Sequence, residues 1–459
     1  MYRNALRVIL VLFILLLAIF VPFVSSGYAE LKQAPTSSSY TEMAEHYGSA
    51  AQRMPWRADL YELAGHAYYH AKEYSLADTA YQKAFDSNVL SAKGWVAWGD
   101  VNYLNADTER AFEVWVQALE QENPSDQLYS RLSQFYKEKA DYPKAAQYLQ
   151  KYVSMHSDGA SAHYRLGLLL TLYDPDKALS ELTSASQLDP QLDPAVQTLR
   201  TTLNLASLKG STSEQFVIIG RGLGLVEEWP LAYAAFEEAL KADAKNAEAL
   251  AWLGEANQQM GREGSEELNQ ALSLNPNSST VRGLRGLYFQ RVGNFREALT
   301  EFQSAAKLEP DNPAWQVSIG EAHSKLGDLI RALESYQAAT TLAPEDANYW
   351  RLVAIFCAQN NVNIKDVGIP AAQKAVILAN DATSLDVLGW LLLLDARHEE
   401  AERTLIRALE LDSQHASAYL HLGILYLQKD DRVSAYDHLL KARDLGNPEA
   451  EVLLNQYFP

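Results

Sequence analysis

The sequence has a single cysteine, Cys357, in 459 residues, which excludes an intramolecular disulfide and any zinc site built on cysteines. Positive charge is also scarce, because 39 Lys and Arg stand against 58 Asp and Glu, for a net charge of −19. A surface of that sign repels phosphate backbones, so we expect no nucleic-acid partner. Alternating, strand-like runs are almost absent. From Tyr40 onward apolar residues recur three and four apart, which predicts an all-α chain.

The sequence also lacks any group of residues that predicts catalysis. His66 and His70 stand four apart on a predicted helix, but the glutamate of a metalloprotease motif is missing and no third zinc ligand is near. Gly220–Gly224 is glycine-rich, yet it falls within a helical pattern without the strand that precedes a dinucleotide-binding turn. Cys357 takes an apolar position of its helix, as inert buried thiols do. We therefore expect no enzyme activity, no metal and no cofactor.

The N-terminal segment has the composition of a targeting signal. Arg3 and Arg7 precede an apolar run over residues 8–24 that contains no charge. The run is long for a signal-peptide core and slightly short for a transmembrane helix. Two interpretations stay open: a signal peptide cleaved near Ala29, or a retained anchor in the cytoplasmic membrane, which the length favours. Both predict an extracytoplasmic chain, because the positively charged end stays in the cytoplasm.

The remainder of the sequence is dominated by a repeat of 34 residues. Five anchor positions carry it, in two copies: Gly286, Ala298, Phe302, Ala305, Pro310 and Gly320, Ala332, Tyr336, Ala339, Pro344. The small residues let two helices cross closely, and the proline ends the second helix. A fixed period of this length indicates a two-helix unit copied in tandem. The pattern closely resembles that of the tetratricopeptide repeat (TPR) family, with about eleven copies along the chain.

The resemblance implies a right-handed superhelical solenoid of antiparallel helix pairs, preceded by the apolar N-terminal helix. An extra amphipathic helix over Leu192–Leu208 disturbs the alternation of first and second helices, and we place the main module boundary there. A later repeat carries two extra residues around Asn360 to Asp366. The predicted order is: signal peptide or membrane anchor 1–29, flexible tether 30–40, first TPR module 41–190, extra helix and linker 191–212, second TPR module 213–446, and C-terminal capping helix 447–459.

The resemblance further implies that other proteins or peptides bind in a concave groove lined by the first helix of each repeat. By register, the candidate groove residues are His66, Tyr69, Tyr103, Gln134, Tyr164, Arg221 and Arg351. The tyrosines offer flat apolar faces with polar tips, which suit extended peptides or sugar rings. A two-carboxylate clamp for chaperone tails is not supported, because its Lys and Asn positions are occupied by Glu62, His66, Val96 and Asp100.

Two functions from different classes follow from these observations. The first is a non-catalytic scaffold for protein–protein interaction at or outside a bacterial cytoplasmic membrane, where it assembles a cell-envelope or secretion complex. The second is a carbohydrate-binding accessory of polysaccharide synthesis or export, which uses the tyrosines of the first module. The bacterial setting is implied by the resemblance alone.

Overall fold

The computed structural model describes residues 2–458, and the side chains of residues 2–6, 8, 9 and 13 lie outside that description. Within this range the chain forms 26 α-helices joined mostly by short turns, and no β-strand occurs among the described residues. The helices group into two compact units, of which the first extends to Lys209 and includes Leu225–Leu231, and the second comprises Gly210–Gly224 and the chain from Ala232 onward. The predicted all-α fold is therefore confirmed.

The first unit contains a long N-terminal helix followed by paired helices. Its helices are α1 (Tyr2–Gln33), α2 (Tyr40–Arg53), α3 (Asp59–His70), α4 (Tyr74–Asp86), α5 (Ala92–Leu104), α6 (Thr108–Leu119), α7 (Gln127–Glu138), α8 (Tyr142–Met155), α9 (Ala160–Leu170), α10 (Pro175–Leu188) and α11 (Asp193–Ser207). The helices α3 to α10 form four consecutive pairs in which each helix packs on the next. The helix α11 has no such partner and corresponds to the extra helix that the sequence predicts.

The second unit continues the same arrangement. Its helices are α12 (Thr212–Leu225), α13 (Trp229–Ala242), α14 (Ala247–Gln259), α15 (Ser265–Leu274), α16 (Ser279–Arg291), α17 (Phe295–Leu308), α18 (Pro313–Lys325), α19 (Leu329–Leu342), α20 (Ala347–Asn360), α21 (Ile369–Leu378), α22 (Ala382–Leu394), α23 (His398–Leu411), α24 (Ala416–Gln428), α25 (Arg432–Asp444) and α26 (Pro448–Tyr457). The helices α12 to α25 are seven pairs, so the expected eleven repeats are confirmed. The final helix α26 buries Ala450 and Leu454 against α25.

The recurrent residues of the 34-residue pattern form the core between the two helices of each pair. Ala298, Phe302 and Ala305 of α17 are all fully buried. The backbone of Gly286 in α16 lies against the Phe302 ring, so a larger residue there would hold the two helices apart. Burial of one such aromatic side chain stabilises the fold by about 1.5–3 kcal/mol. Each pair therefore has a small core of its own, which it extends by packing on its neighbours.

The first helix extends beyond the predicted targeting segment. It continues without a break to Gln33, and its last third packs on α2, where Val24 and Leu31 contact the buried residues of that helix. Residues 30–40, predicted as a flexible tether, differ from that expectation. Ala34–Thr36 form a 3-10 turn with Ala34 fully buried, and the Ser39 hydroxyl accepts a hydrogen bond from the Glu42 amide to cap α2. The end of α1 thus packs beside α2 as the first helix of a repeat packs beside the second.

One helix among the described residues is long and apolar enough to cross a membrane, judged by length and composition. This stretch runs from Leu10 to Thr36, and only 6% of its most apolar part is buried.

Two extra residues in the repeat that contains α20 and α21 are taken up in the turn between these helices. Asn361 and Asn363 adopt left-handed backbone conformations, and one turn of π-helix follows over Ile364–Gly368. The turn brings Gly368 against Cys357, whose side chain is fully buried. Burial raises the pKa of Cys357 to about 11, so the reactive thiolate is scarce at neutral pH.

Candidate functional site

The first unit contains a groove of about 380 Å³ to which the first helices of four successive pairs contribute. Its lining residues are Tyr69 from α3, Asp100, Tyr103 and Leu104 from α5, Trp115 from α6, Ser130, Arg131, Gln134 and Phe135 from α7, and Arg165 from α9. The groove therefore extends across several repeats, and a ligand that fills it contacts side chains nearly one hundred residues apart in the chain.

The floor of the groove is aromatic, and one of its rings is a repeat anchor. Trp115 occupies the recurrent aromatic position of α6 and is 2% exposed. Its indole Nε1 donates a hydrogen bond to the Val96 carbonyl at 3.4 Å, which fixes the ring beneath α5. The Tyr103 ring centroid lies 6.0 Å from that of Trp115, and Phe135 is buried beside them. The floor is therefore rigid and apolar.

A shared carboxylate holds two polar side chains at the rim. The Tyr103 hydroxyl donates to Glu138 Oε1 at 2.6 Å, and Gln134 Nε2 donates to the same oxygen at 2.8 Å. The hydrogen bond to Glu138 is the main cause that raises the pKa of Tyr103, so the phenol stays neutral. The hydroxyl of Tyr103 is thus engaged within the protein.

The two arginines of the groove differ in their partners. Arg131 donates from Nε and Nη2 to the two oxygens of Asp100, at 2.7 and 2.8 Å, and this pairing raises the pKa of Arg131. Arg165 donates only a long hydrogen bond of 3.4 Å to Gln134 Oε1. No carboxylate of the described residues lies within the ion-pair distance of 4.0 Å from the Arg165 guanidinium. Arg165 is therefore a half-buried cation without a counter-ion in the part of the chain that the structure describes.

The electrostatics of Arg165 follow from its position. Burial is the main cause that lowers the pKa of Arg165, and the positive charge of Arg131 acts in the same direction. The negative charge of Glu228 acts to raise the pKa of Arg165, but the Glu228 carboxylate already accepts a hydrogen bond from Lys137 Nζ at 3.4 Å. A guanidinium stays charged even under these conditions, and it presents a planar set of N–H donors that matches a carboxylate. The groove can therefore hold an anionic group beside an apolar floor.

Of the predicted groove residues in the first unit, three lie together and two do not. Tyr69, Tyr103 and Gln134 line the same groove. His66 instead lies 2.8 Å from the Tyr81 hydroxyl, within its own helix pair. Tyr164 is half-buried and does not line the groove.

The two predicted residues of the second unit have partners inside it. The Arg221 guanidinium lies 5.4 Å from the centre of the Trp252 ring, a cation–π contact. Arg351 Nη1 donates to Asp381 Oδ2 at 2.8 Å, and Asp381 also caps α22 by accepting from the Ser384 amide. Both arginines thus stabilise contacts within the unit.

Arg131 and Arg165 are not among the predicted groove residues, although the register of the repeat contains a signal for them. Arg131 and Arg165 are 34 residues apart, as are Tyr69 and Tyr103. Each pair therefore occupies one position of the repeat on successive first helices. Among the described residues, no cluster of three or more His, Cys, Asp or Glu side chains has a geometry that could hold a metal ion.

Eleven antiparallel helix pairs in tandem define an α-helical repeat protein. Residues 284–361 match the family model described as tetratricopeptide repeat. The anchors of that segment recur in the other pairs at the same positions, so the tetratricopeptide repeat of residues 284–361 is one part of a longer array of similar helix pairs. Tetratricopeptide repeat proteins bind other proteins or peptides.

Similar proteins come from distant organisms. Anaphase-promoting complex subunit 3 of Schizosaccharomyces pombe is 27% identical over 143 residues, which are 31% of this chain and 21% of that protein. The chain thus spans about a fifth of the length of this curated relative.

Among solved structures, yeast Tom70 is 17% identical, with 96% of this chain and 95% of Tom70 covered and a TM-score of 0.40. A tetratricopeptide repeat protein from Parabacteroides merdae is also 17% identical, with 53% and 98% covered and a TM-score of 0.41.

Proposed function

We propose that this protein is a non-catalytic scaffold on the outer side of a bacterial cytoplasmic membrane, where it binds an acidic segment of a partner protein in the groove of its first unit. The observation that carries the proposal is Arg165, a half-buried guanidinium without a carboxylate partner among the described residues. A carboxylate of the partner would form charge-assisted hydrogen bonds there, while an adjacent apolar side chain packs on the aromatic floor.

The charge of the whole chain makes this site selective. With a net charge of −19, the protein repels acidic partners at long range. Binding of an acidic segment therefore depends on the local contact with Arg165, since the overall field does not favour it. Arg131 does not compete for the same group, because Asp100 already neutralises it.

The cellular setting rests on the N-terminal segment. Positive residues before an apolar helix favour a cytoplasmic N-terminus, which supports a position of the repeats outside the membrane. A repeat array in that position can hold several components of an envelope or secretion complex together. This role is tested by in-cell crosslinking and affinity purification of the tagged full-length chain, with recovery of one envelope complex as the expected result.

The groove is tested with an array of immobilised peptides made in pairs, each acidic peptide next to its amide counterpart in which Asn and Gln replace Asp and Glu. We expect the wild-type chain to bind a subset of the acidic peptides and to bind their amide counterparts at least about tenfold more weakly, since a hydrogen bond to a charged group contributes about 1.5–3 kcal/mol. The variant Arg165→Gln should lose that discrimination.

The matched control is Lys177→Gln, which removes a positive charge from a side chain that is 62% exposed on α10. Its binding should equal that of the wild type. Equal binding of acidic and amide peptides, or an unchanged preference in Arg165→Gln, would refute the groove assignment.

A carbohydrate ligand is the second candidate, because the rings of Tyr69 and Tyr103 both line the groove. It predicts binding to a glycan panel that is lost in the double variant Tyr69→Ala, Tyr103→Ala and kept in Tyr164→Ala, whose side chain lies outside the groove lining. A flat titration of the wild type against the panel would dismiss it.

A further inference from the structure

The last part of the N-terminal helix α1 lies in close contact with α2. Gly27 of α1 is buried against α2, and a Cβ atom at this position would lie 3.0 Å from both Arg53 Cβ and Met54 Cγ. This is the arrangement that the recurrent glycines have inside the repeats, where the absent side chain lets two helices cross closely. Residues 24–33 thus act as the first helix of a pair whose second helix is α2.

A polar contact fixes the same junction. Glu30 Oε2 lies 2.5 Å from His46 Nδ1, and Glu30 Oε1 accepts a hydrogen bond from Arg53 Nη1 at 2.5 Å. The hydrogen bond with His46 is the main cause that lowers the pKa of Glu30, and the bond with Arg53 acts in the same direction. The junction therefore contains both an apolar contact and a charged one.

Removal of the leader after Ala29 would dismantle this pair. It would take away Val24 and Gly27, which cover Ala50 and Met54, both fully buried in the structure. It would also turn Glu30 into the terminal residue. The apolar side of α2 would then be exposed, because the helix that covers it would be gone.

The preceding part of α1 has the opposite character, because its apolar side chains are exposed. They include Leu12, Leu15, Leu16, Ile19, Phe20 and Phe23, each of which is 46–75% exposed. The uncharged run over residues 8–24 is about 26 Å long as a helix, against about 30 Å of hydrocarbon in a bilayer. The long side chain of Arg7, directly before this run, can reach the headgroups across the difference.

Aromatic side chains surround the outer end of this run. The Trp56 ring, in the turn after α2, lies 6.0 Å from the Phe20 ring, and Trp56 and Tyr28 are each 54% exposed. Exposed tryptophan and tyrosine beside an apolar helix are typical of the boundary between hydrocarbon and headgroups.

We propose that α1 is retained in the mature protein as both a membrane anchor and the first helix of the repeat array, and that the turn containing Trp56 rests on the outer surface of the phospholipid bilayer. This inference rests on the proposed function only in assuming export. Because α1 is one continuous helix whose end packs on α2, no flexible tether separates α2 from the bilayer.

Retention is tested on the full-length chain with a C-terminal tag, purified from the membrane fraction. Intact mass and N-terminal peptide mapping should show that residues 1–29 are present. A mature N-terminus at or near Glu30 would overturn the inference.

Contact with the bilayer is tested with a polarity-sensitive fluorophore on Trp56→Cys, reconstituted in vesicles of phosphatidylethanolamine and phosphatidylglycerol that carry a nitroxide at the headgroup. The native Cys357 is fully buried and should not be labelled. The control is Val433→Cys, at a residue that is 75% exposed in the second unit. We expect severalfold stronger quenching at position 56 than at position 433, and equal quenching would count against the surface contact.

These outcomes separate the two proposals. A chain cleaved near Ala29 that still prefers acidic peptides would overturn the retained anchor and leave the groove assignment intact. A chain that keeps residues 1–29 but does not prefer acidic peptides would overturn the groove assignment and leave the retained anchor intact.

Discussion

Gly286 and Gly320 occupy the same position in consecutive repeats, but the structure gives them different neighbours. A Cβ atom at Gly286 would overlap the ring of Phe302. At Gly320 the nearest atoms of Tyr336 would lie 3.1 Å away, so a small shift of that ring makes room. The phenylalanine is fully buried, whereas the tyrosine is 8% exposed and has more freedom to move.

We expect Gly286→Ala to destabilise the second unit by about 1–3 kcal/mol, because the new methyl group overpacks the core. Gly320→Ala should be close to neutral, since the same clash is milder and alanine gains about 1 kcal/mol of helix propensity. Urea denaturation followed by circular dichroism measures both. Equal shifts of the two midpoints would show that the ring positions do not decide the outcome.

At the scale of elements, a buried carboxylate joins the first helices of two successive pairs. Asp386 of α22 is 4% exposed, and its Oδ1 lies 2.7 Å from His421 Nδ1 on α24. His415 Nε2, at the start of α24, lies 3.5 Å from the other oxygen. The Trp390 ring stacks on His421, with centroids 5.1 Å apart. The two helices are therefore coupled through titratable groups.

The pKa shifts of this cluster have opposite signs. Burial acts to raise the pKa of Asp386, but the charge of His421 and hydrogen bonds with both histidines outweigh it, so its pKa lies below the usual value of 3.8. The hydrogen bond with Asp386 is the main cause that raises the pKa of His415 above 6.5. The stabilisation from His415 is therefore complete below pH 6.5 and is lost as the pH rises through its raised pKa.

We expect the urea midpoint of the second unit to fall as the pH is raised from about 6 to about 8, since His415 then loses its proton in the folded state. In Asp386→Asn the unit should lose about 1–3 kcal/mol at the lower pH and less at the higher pH. Asp412→Asn is the control, because that carboxylate is 49% exposed and lies 3.7 Å from His415. A pH slope that survives in Asp386→Asn would disprove the assignment.

For the whole molecule, stability is distributed over a chain of local cores. Each helix pair packs mainly on its sequence neighbours, and two compact units result. Arrays of this kind lose cooperativity over long distances, so a single free energy of unfolding does not describe them.

We expect the full chain to unfold in more than one urea transition. Gly99→Ala, which places a methyl group against the buried Trp115 of the first unit, should shift one transition. Gly286→Ala should shift another. Tryptophan fluorescence and circular dichroism, recorded on the same samples, would show this, and one common transition displaced by both variants would contradict it.

The sequence alone determined the helix pairs and their number. It could do so because each repeat is stabilised by contacts within about 34 residues, and the small and aromatic anchors that make those contacts recur visibly. It also placed Tyr69, Tyr103 and Gln134 on the inner helix faces.

Only the tertiary structure decided which inner side chains share a groove and which already have partners. His66 and Arg351 occupy suitable register positions, yet contacts within the protein engage them, whereas Arg165 has no carboxylate partner among the described residues. The dual role proposed for α1 could not be predicted from the repeat either, because the contact of Gly27 with Met54 joins residues outside the repeat pattern. Such contacts depend on how side chains from different helices pack, and no period in the sequence records that.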